Sequence, residues 1–246
     1  LLSQEKTVAV YQVRFFLLFL NGSGRLGMRS VLLILLCLLI SYRVKGEEVR
    51  DVFVIDTFSG CISQKNGLPC GWHPTQRTVE MFSVQKSDGN HYVKIKTRGG
   101  NTTIGCKIKG DISEYPFLCW KWRIHRLPSG AREDVKWISD SGAGVYVIFR
   151  GTLRLNRIIK YVWSSTLPEG TVTESPFNGR AKIKVLRSGE GLLGSWVNEK
   201  VNVKEDYIKL FGSEPPDVEA IAIMSDADNT RSFVEADYDD FWISRF

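Results

Sequence analysis

Alternation of apolar and polar residues with a two-residue period constrains this chain more than any other feature. In residues 91–97, Val93 and Ile95 alternate with Tyr92, Lys94 and Lys96, and in 181–187, Ile183 and Val185 alternate with Lys182 and Lys184. Residues 117–125 repeat the pattern, setting Leu118, Trp120, Trp122 and Ile124 against Cys119, Lys121 and Arg123. Successive side chains of a strand point to opposite faces, so these segments are half-buried strands with one wet face. Segments 145–149 and 220–224 are apolar on both parities and predict central strands covered on both sides. Further strands are predicted at 52–58, 79–84, 102–109, 158–163, 196–203 and 235–244. Turn signals such as Asp88-Gly89-Asn90 and Pro128-Ser129-Gly130 fall between them. One helix is expected, at 204–211, stopped by Gly212 and by Pro215-Pro216. The expected fold is all-β: two antiparallel sheets in a jelly-roll-like sandwich, galactose-binding or concanavalin-like, with one short helix.

Ahead of these strands the chain reads as a targeting segment. Met28 is the first methionine; Arg29 follows, then an unbroken apolar run at 31–40, then Val44-Lys45-Gly46. This is the layout of a secretory signal peptide over 28–46, with Glu47 as the first mature residue. The apolar run is too short to cross a bilayer, which takes about 20 residues of helix. A periplasmic or secreted protein is therefore expected, without a stable membrane span after signal cleavage. Residues 1–27 read as an upstream extension and 47–246 as a single β-sandwich domain.

Export changes how the charge is read. The chain has 33 basic and 27 acidic residues, but residues 1–46 hold six of the basic ones against Glu5 alone. The remainder is close to neutral, which removes the electrostatic case for a nucleic-acid partner. Setting Cys37 aside leaves Cys61, Cys70, Cys106 and Cys119. Cys61 and Cys70 bracket a loop containing Gly, Pro and Asn and are expected to pair. Cys106 and Cys119 take opposite parities on their strands, so a bridge and two buried free thiols both stay open.

Chemistry concentrates in residues 224–243, which carry Asp226, Asp228, Glu235, Asp237, Asp239 and Asp240 between two apolar segments that read as neighbouring strands. Asp226, Asp228 and Asn229 follow a central strand as Asp-x-Asp-Asn. With Asp240 or Asp237 from the next strand they would offer a structural Ca²⁺ the oxygen ligands it prefers. The same residues are ordinary turn formers. The metal set is Asp226, Asp228 and Asp240; the ligand set adds Asn229 and Trp242.

Glu235, Asp237 and Asp239 project to one face of a strand. The Glu-x-Asp-x-x-acid pattern of this segment, Glu235 and Asp237 with Asp240 as the last acid, is similar to the catalytic motif of laminarinase-like sandwich glycosidases. A solvated edge strand protected by charge competes with that reading and is preferred to it. Among the tryptophans, Trp120 and Trp122 are expected in the core, Trp163 and Trp196 either in the core, which is favoured, or presenting an indole to a sugar ring, and further glycan-stacking platforms would come from Trp72, Trp137 and Trp242. Lys94, Lys96, Lys107, Lys109, Lys121 and Arg123 lie on the wet parity of three strands, as a basic face for an acidic polysaccharide or as solvated surface. His73, His91 and His125 lack ligand spacing.

Several segments together resemble a known family. They are Leu118-Cys119-Trp120-Lys121-Trp122-Arg123-Ile124 with Leu127-Pro128, Val145-Tyr146-Val147-Ile148-Phe149 and Lys160-Tyr161-Val162-Trp163-Ser164. Asp206-Tyr207 with Phe211-Gly212, and Ile221 through Thr230, complete the set. In this order they are similar to the exported bacterial family catalogued as domain of unknown function three thousand and forty-seven, over roughly 53–244. The resemblance implies a periplasmic or secreted β-sandwich of unestablished activity and supplies no catalytic residues. This chain departs from the family pattern at His125 and Asp239, where Asp and Gly are usual. It also departs at Asp140-Ser141-Gly142-Ala143-Gly144, where the family tends to carry an acidic pair with Arg.

The functional expectation is a non-catalytic module binding carbohydrate or an envelope component. The alternatives are a glycosidase or polysaccharide lyase using Glu235, Asp237 and Asp239, and a structural envelope protein without a small ligand.

Overall fold

Parity and turns together sort the described chain into thirteen strands, one α-helix and two 3-10 turns. In chain order the first strands are β1 (Val52–Asp56), β2 (Trp72–Pro74), β3 (Phe82–Ser87), β4 (Asn90–Arg98), β5 (Asn101–Cys106) and β6 (Phe117–Arg126). There follow β7 (Ala143–Phe149), β8 (Arg157–Ser164), β9 (Val172–Ser175), β10 (Asn178–Ser188), β11 (Val197–Asn202), helix α1 (Val203–Phe211), β12 (Val218–Asp226) and β13 (Phe233–Ser244). The structure is a computed structural model that describes residues 51–63, 67–75, 80–108 and 111–246. The expected extension, signal peptide and cleavage point lie outside these residues.

Two sheets form. A six-stranded sheet runs β11-β6-β13-β4-β3, with β1 beside the second half of β13, and a seven-stranded sheet runs β2-β5-β12-β7-β8-β10-β9. All pairs are antiparallel except β8 with β10, where Ala181 lies opposite Ile158 in a parallel register. The apolar parity of β6 points inward: Leu118, Trp120, Trp122 and Ile124 are at most 1% exposed. They meet Tyr161 and Trp163 of β8 and Phe241 of β13 in an aromatic core. Each such side chain contributes about 1.5–3 kcal/mol on burial. Polar groups inside this core are bonded across it. The Tyr238 hydroxyl accepts the Gly144 N–H at 3.0 Å and donates to the Met224 carbonyl at 2.7 Å, tying β13 to the opposite sheet. A Cβ at Gly144 would sit 2.7 Å from the Tyr146 ring, so the position needs glycine.

Helix α1 starts where the Asn202 side chain accepts the Glu205 N–H and ends at Gly212 with φ +70°. Its Tyr207 ring packs 4.5 Å from Phe149. Three local expectations change. Segments 220–224 and 241–243 are not neighbouring strands, because β12 and β13 belong to opposite sheets and residues 227–232 cross between them. Ile183 and Val185 of β10 join Val162 and Leu167 in a small cluster apart from the main core. On the other parity of β10, Lys184 pairs with the buried Asp206 of α1 at 2.7 Å.

Cys61 and Cys70 form a disulfide, while Cys106 and Cys119 are buried free thiols. Burial, with a smaller contribution from the charge of Asp56, pushes the Cys106 thiol up to about 12. Among the described residues no helix is long and apolar enough to cross a membrane.

Candidate functional site

The polar parity of β4, β6, β11 and β13 shares one outer face of the six-stranded sheet. Strand β13 is not the expected edge strand but lies between β6 and β4, so its acidic residues fall between two basic rows. Each carboxylate finds a cation. Glu235 lies 2.7 Å from Lys94 Nζ and 3.5 Å from Lys96 Nζ. Asp237, fully buried, takes Arg123 Nη2 and Nε on one oxygen at 2.6 and 2.9 Å, with His125 Nε2 at 2.7 Å. Its other oxygen has no hydrogen bond and faces Lys94 Nζ at 3.7 Å. Asp239 accepts from Asn90 at 2.7 Å and lies 3.1 Å from Lys121 Nζ.

Two irregularities shape this face. The β6–β13 register slips between Glu235 and Ala236, so His125 is an extra residue on β6 and Arg126 comes opposite Glu235. A second slip, between Asp239 and Trp242, lets Asp240, at φ +52°, turn its carboxylate to the same Lys121 at 2.7 Å. Asp240 therefore stands with Lys121 on the sheet and not with Asp226 and Asp228. Burial pushes Glu235 up, but the hydrogen bond and charge of Lys94, with Lys96 and His125, outweigh it and hold the group below its ordinary value. Asp239 goes the other way: burial raises it despite Asn90 and Lys121.

Aromatic rings edge the same face. Arg123 lies over half-buried Trp196 at 4.6 Å and Tyr92 at 5.3 Å, and Lys121 over Trp196 at 5.2 Å. Trp196 is thus on the outer face rather than in the core, while Trp163 is core. Trp72 is buried and donates to Asp56 at 2.8 Å, and Trp137 is 75% exposed. Trp242 borders a cleft of about 500 Å³, lined also by Val54, Cys119, Asn198, Lys200 and Asp240. Trp120, also in the lining, has a buried Nε1–H without an acceptor. Lys107 follows β5 in the other sheet, and Lys109 lies outside the described residues.

A second group of acids forms at the turn after β12. Oxygens of Asp140, Asp226 and Asp228 lie within 4.8 Å of one another. That separation suits ligands about 2.4 Å from a common centre, the distance a Ca²⁺ ion takes. Asp140 is buried and accepts the backbone N–H groups of Asn229 (3.1 Å) and Thr230 (2.7 Å), and the Thr230 hydroxyl at 2.5 Å. Asn229 therefore contributes its main chain. Asp228 accepts from Asn101. Burial, then the charges of Asp140 and Asp228, push Asp226 up to about 8. Sequence reasoning missed Asp140 because it sits 86 positions upstream of Asp226, on the strand-to-strand turn before β7. Its one signal was the acidic pair that the family tends to carry there.

The family described as Protein of unknown function (DUF3047) matches residues 71–242. No curated protein matches the chain in sequence. Among solved structures, the family 11 carbohydrate-binding module of the Clostridium thermocellum cellulase Lic26A-Cel5E is similar at 7% identity and a TM-score of 0.41, covering 78% of this chain and 94% of that one. The Caldicellulosiruptor saccharolyticus module CBM27-1, solved with mannohexaose, gives 10% identity and 0.42, covering 80% and 98%. The xyloglucanase domain of NopAA from Sinorhizobium fredii gives 11% and 0.36, covering 66% and 86%. Likeness at this level assigns neither ligand nor activity.

Proposed function

We propose that this chain, which belongs to the family described as Protein of unknown function (DUF3047), is an exported, non-catalytic module that binds carbohydrate on the outer face of its six-stranded sheet. The cleft beside Trp242 is the observation that carries the reading. An indole, an apolar wall at Val54 and polar groups from Asn198, Lys200 and Asp240 are what a sugar ring needs: a flat surface for its C–H face and partners for its hydroxyls. The Cys61–Cys70 disulfide supports export, since such bonds persist in oxidising compartments.

A structural Ca²⁺ held by Asp140, Asp226 and Asp228 belongs to the same proposal. The three carboxylates fit a hard cation in geometry, and burial together with the charges of Asp140 and Asp228 raises Asp226, a cost that a bound cation would relieve. An ion there would fix the loop 226–232 between the two sheets.

Binding is tested by glycan array and calorimetry with wild type and Trp242→Ala. The variant is expected to lose at least tenfold in affinity; unchanged affinity refutes the cleft, and a wild type that binds no glycan favours a structural envelope role. The hydrolytic alternative has less support, because Glu235 is ion-paired with Lys94 and Asp237 is fully buried against Arg123. Turnover of β-glucans by wild type and not by Asp237→Asn would restore it.

A further inference from the structure

The outer face has one end where the charges do not balance. Along β13 the cations Lys94, Lys121 and Arg123 are met by Glu235, Asp237, Asp239 and Asp240. Past Glu235 this pairing stops. Arg98 at the end of β4, Arg126 at the end of β6 and Arg231 in the turn before β13 are all exposed, and among the described residues no carboxylate lies within 4.0 Å of any of them. They are nevertheless gathered. Arg98, Arg126 and Phe233 line one cleft of about 220 Å³ with Arg231, Ser129 and Ser232. Arg126 lies 5.1 Å and Arg98 6.0 Å from the centre of the Phe233 ring, with Lys96 at 5.4 Å.

The fold holds this arrangement in place. The slip that makes His125 an extra residue brings Arg126 opposite Glu235. Arg98 lies directly opposite Phe233 in the β4–β13 register. The Gly99 N–H donates to the Ser232 carbonyl at 2.8 Å, joining the turn after β4 to the turn that carries Arg231. The Ser232 hydroxyl in turn accepts the Ser129 N–H at 3.1 Å. Like charges held together without counterions repel unless an anion joins them, and guanidinium forks match the planar or tetrahedral oxygens of acidic groups. Phe233 lines the same cleft and holds the guanidinium groups beside its ring.

We infer that this cleft binds the acidic group of a negatively charged polysaccharide whose backbone lies along the outer face. The inference rests on the carbohydrate reading of that face and deepens it by naming the substrate class. A uronate carboxylate and a sulfate ester present the same chemistry to the three arginines.

The test uses the full chain and a variant carrying Arg98→Gln, Arg126→Gln and Arg231→Gln; because the three side chains are exposed, its Tm is expected to match wild type. Calorimetry compares polygalacturonate with its methyl ester, and dextran sulfate with dextran. Wild type is expected to bind at least one acidic polymer tenfold or more tighter than its uncharged counterpart, with the preference shrinking as NaCl is raised. The variant is expected to lose that preference while keeping its affinity for the neutral form within about twofold. The polymer pair that shows the preference identifies carboxylate or sulfate as the group bound. A preference that survives in the variant, or its absence in wild type, overturns the inference while neutral binding keeps the face as a glycan site. Binding of no polymer overturns both. Duplex DNA or phosphatidylglycerol vesicles bound as tightly as the acidic polymer, and released by the same substitutions, would also overturn it.

Discussion

Two sets of carboxylates, separated by one loop, are treated in opposite ways by this fold. On β13, Glu235, Asp237 and Asp239 sit between basic rows and each meets a cation. At the turn after β12, Asp140, Asp226 and Asp228 meet chiefly one another and a few neutral donors. The first set is neutralised by cross-strand register; the second, among the described residues, has no cation within 4.0 Å, and the half-buried Lys160 acts on Asp226 only from farther away. Acidic density alone therefore does not mark a binding site. What distinguishes the two is whether the protein supplies the counter-charge itself.

Substitutions break the comparison most directly. Replacing Asp237 with Ala should cost about 3–5 kcal/mol in urea denaturation, because Arg123 and Lys94 would be left half-buried beside an empty position. A loss under about 1 kcal/mol would show that the pairing is surface-like and worth little. Ca²⁺ should act only on the other set. Added to EDTA-treated protein at about a hundred times its Kd, it should stabilise by about 2.7 kcal/mol. Asp228→Asn should abolish most of that gain while Asp240→Asn should not, since Asp240 is held by Lys121. No heat and no Tm shift with wild type would sink the cation.

Without metal, Asp226→Asn should raise stability by about 1 kcal/mol in urea denaturation at neutral pH, the reverse in sign of the Asp237 result, because the buried carboxyl must take up a proton to stay in the fold and a neutral amide need not.

The smallest effect is in pH dependence. Glu235 is held below its ordinary value of 4.5, so its contribution is present above that value and is lost as pH falls through the lowered one. Buried Glu133 is held above 4.5 by desolvation, against hydrogen bonds that include one from Ser164, so its contribution is present below 4.5 and is lost as pH rises through the raised value. Tm profiles should show Glu235→Gln flattening the acid limb and Glu133→Gln the limb above it. Identical profiles for both variants would remove the distinction.

The two sets also differ in how far the sequence exposed them. Alternation placed Glu235, Asp237 and Asp239 on one face and Lys94, Lys121 and Arg123 on a wet parity, because parity is a local property of a strand. It could not say that the two rows interleave, since that depends on β13 lying between β4 and β6. The same limit let β12 and β13 read as neighbours, hid the parallel β8–β10 pair, and left Arg98, Arg126 and Arg231 as three unrelated residues. Cys61–Cys70 was legible because its loop is short; Asp140 was not, because it reaches Asp226 through the tertiary fold. Asp240 fell to the sheet face through a slip in register that no side-chain pattern announces.

The position of β13 has a kinetic consequence. It pairs with β6, β4 and β1, all of which precede it in the chain. The central rung of the six-stranded sheet is thus synthesised after its neighbours, and those strands must wait, unzipped, for it to arrive. Pairings this distant in sequence make closure slow. During that interval the edges of β4 and β6 are open to other chains, so a nascent molecule would gain most from a chaperone before β13 docks.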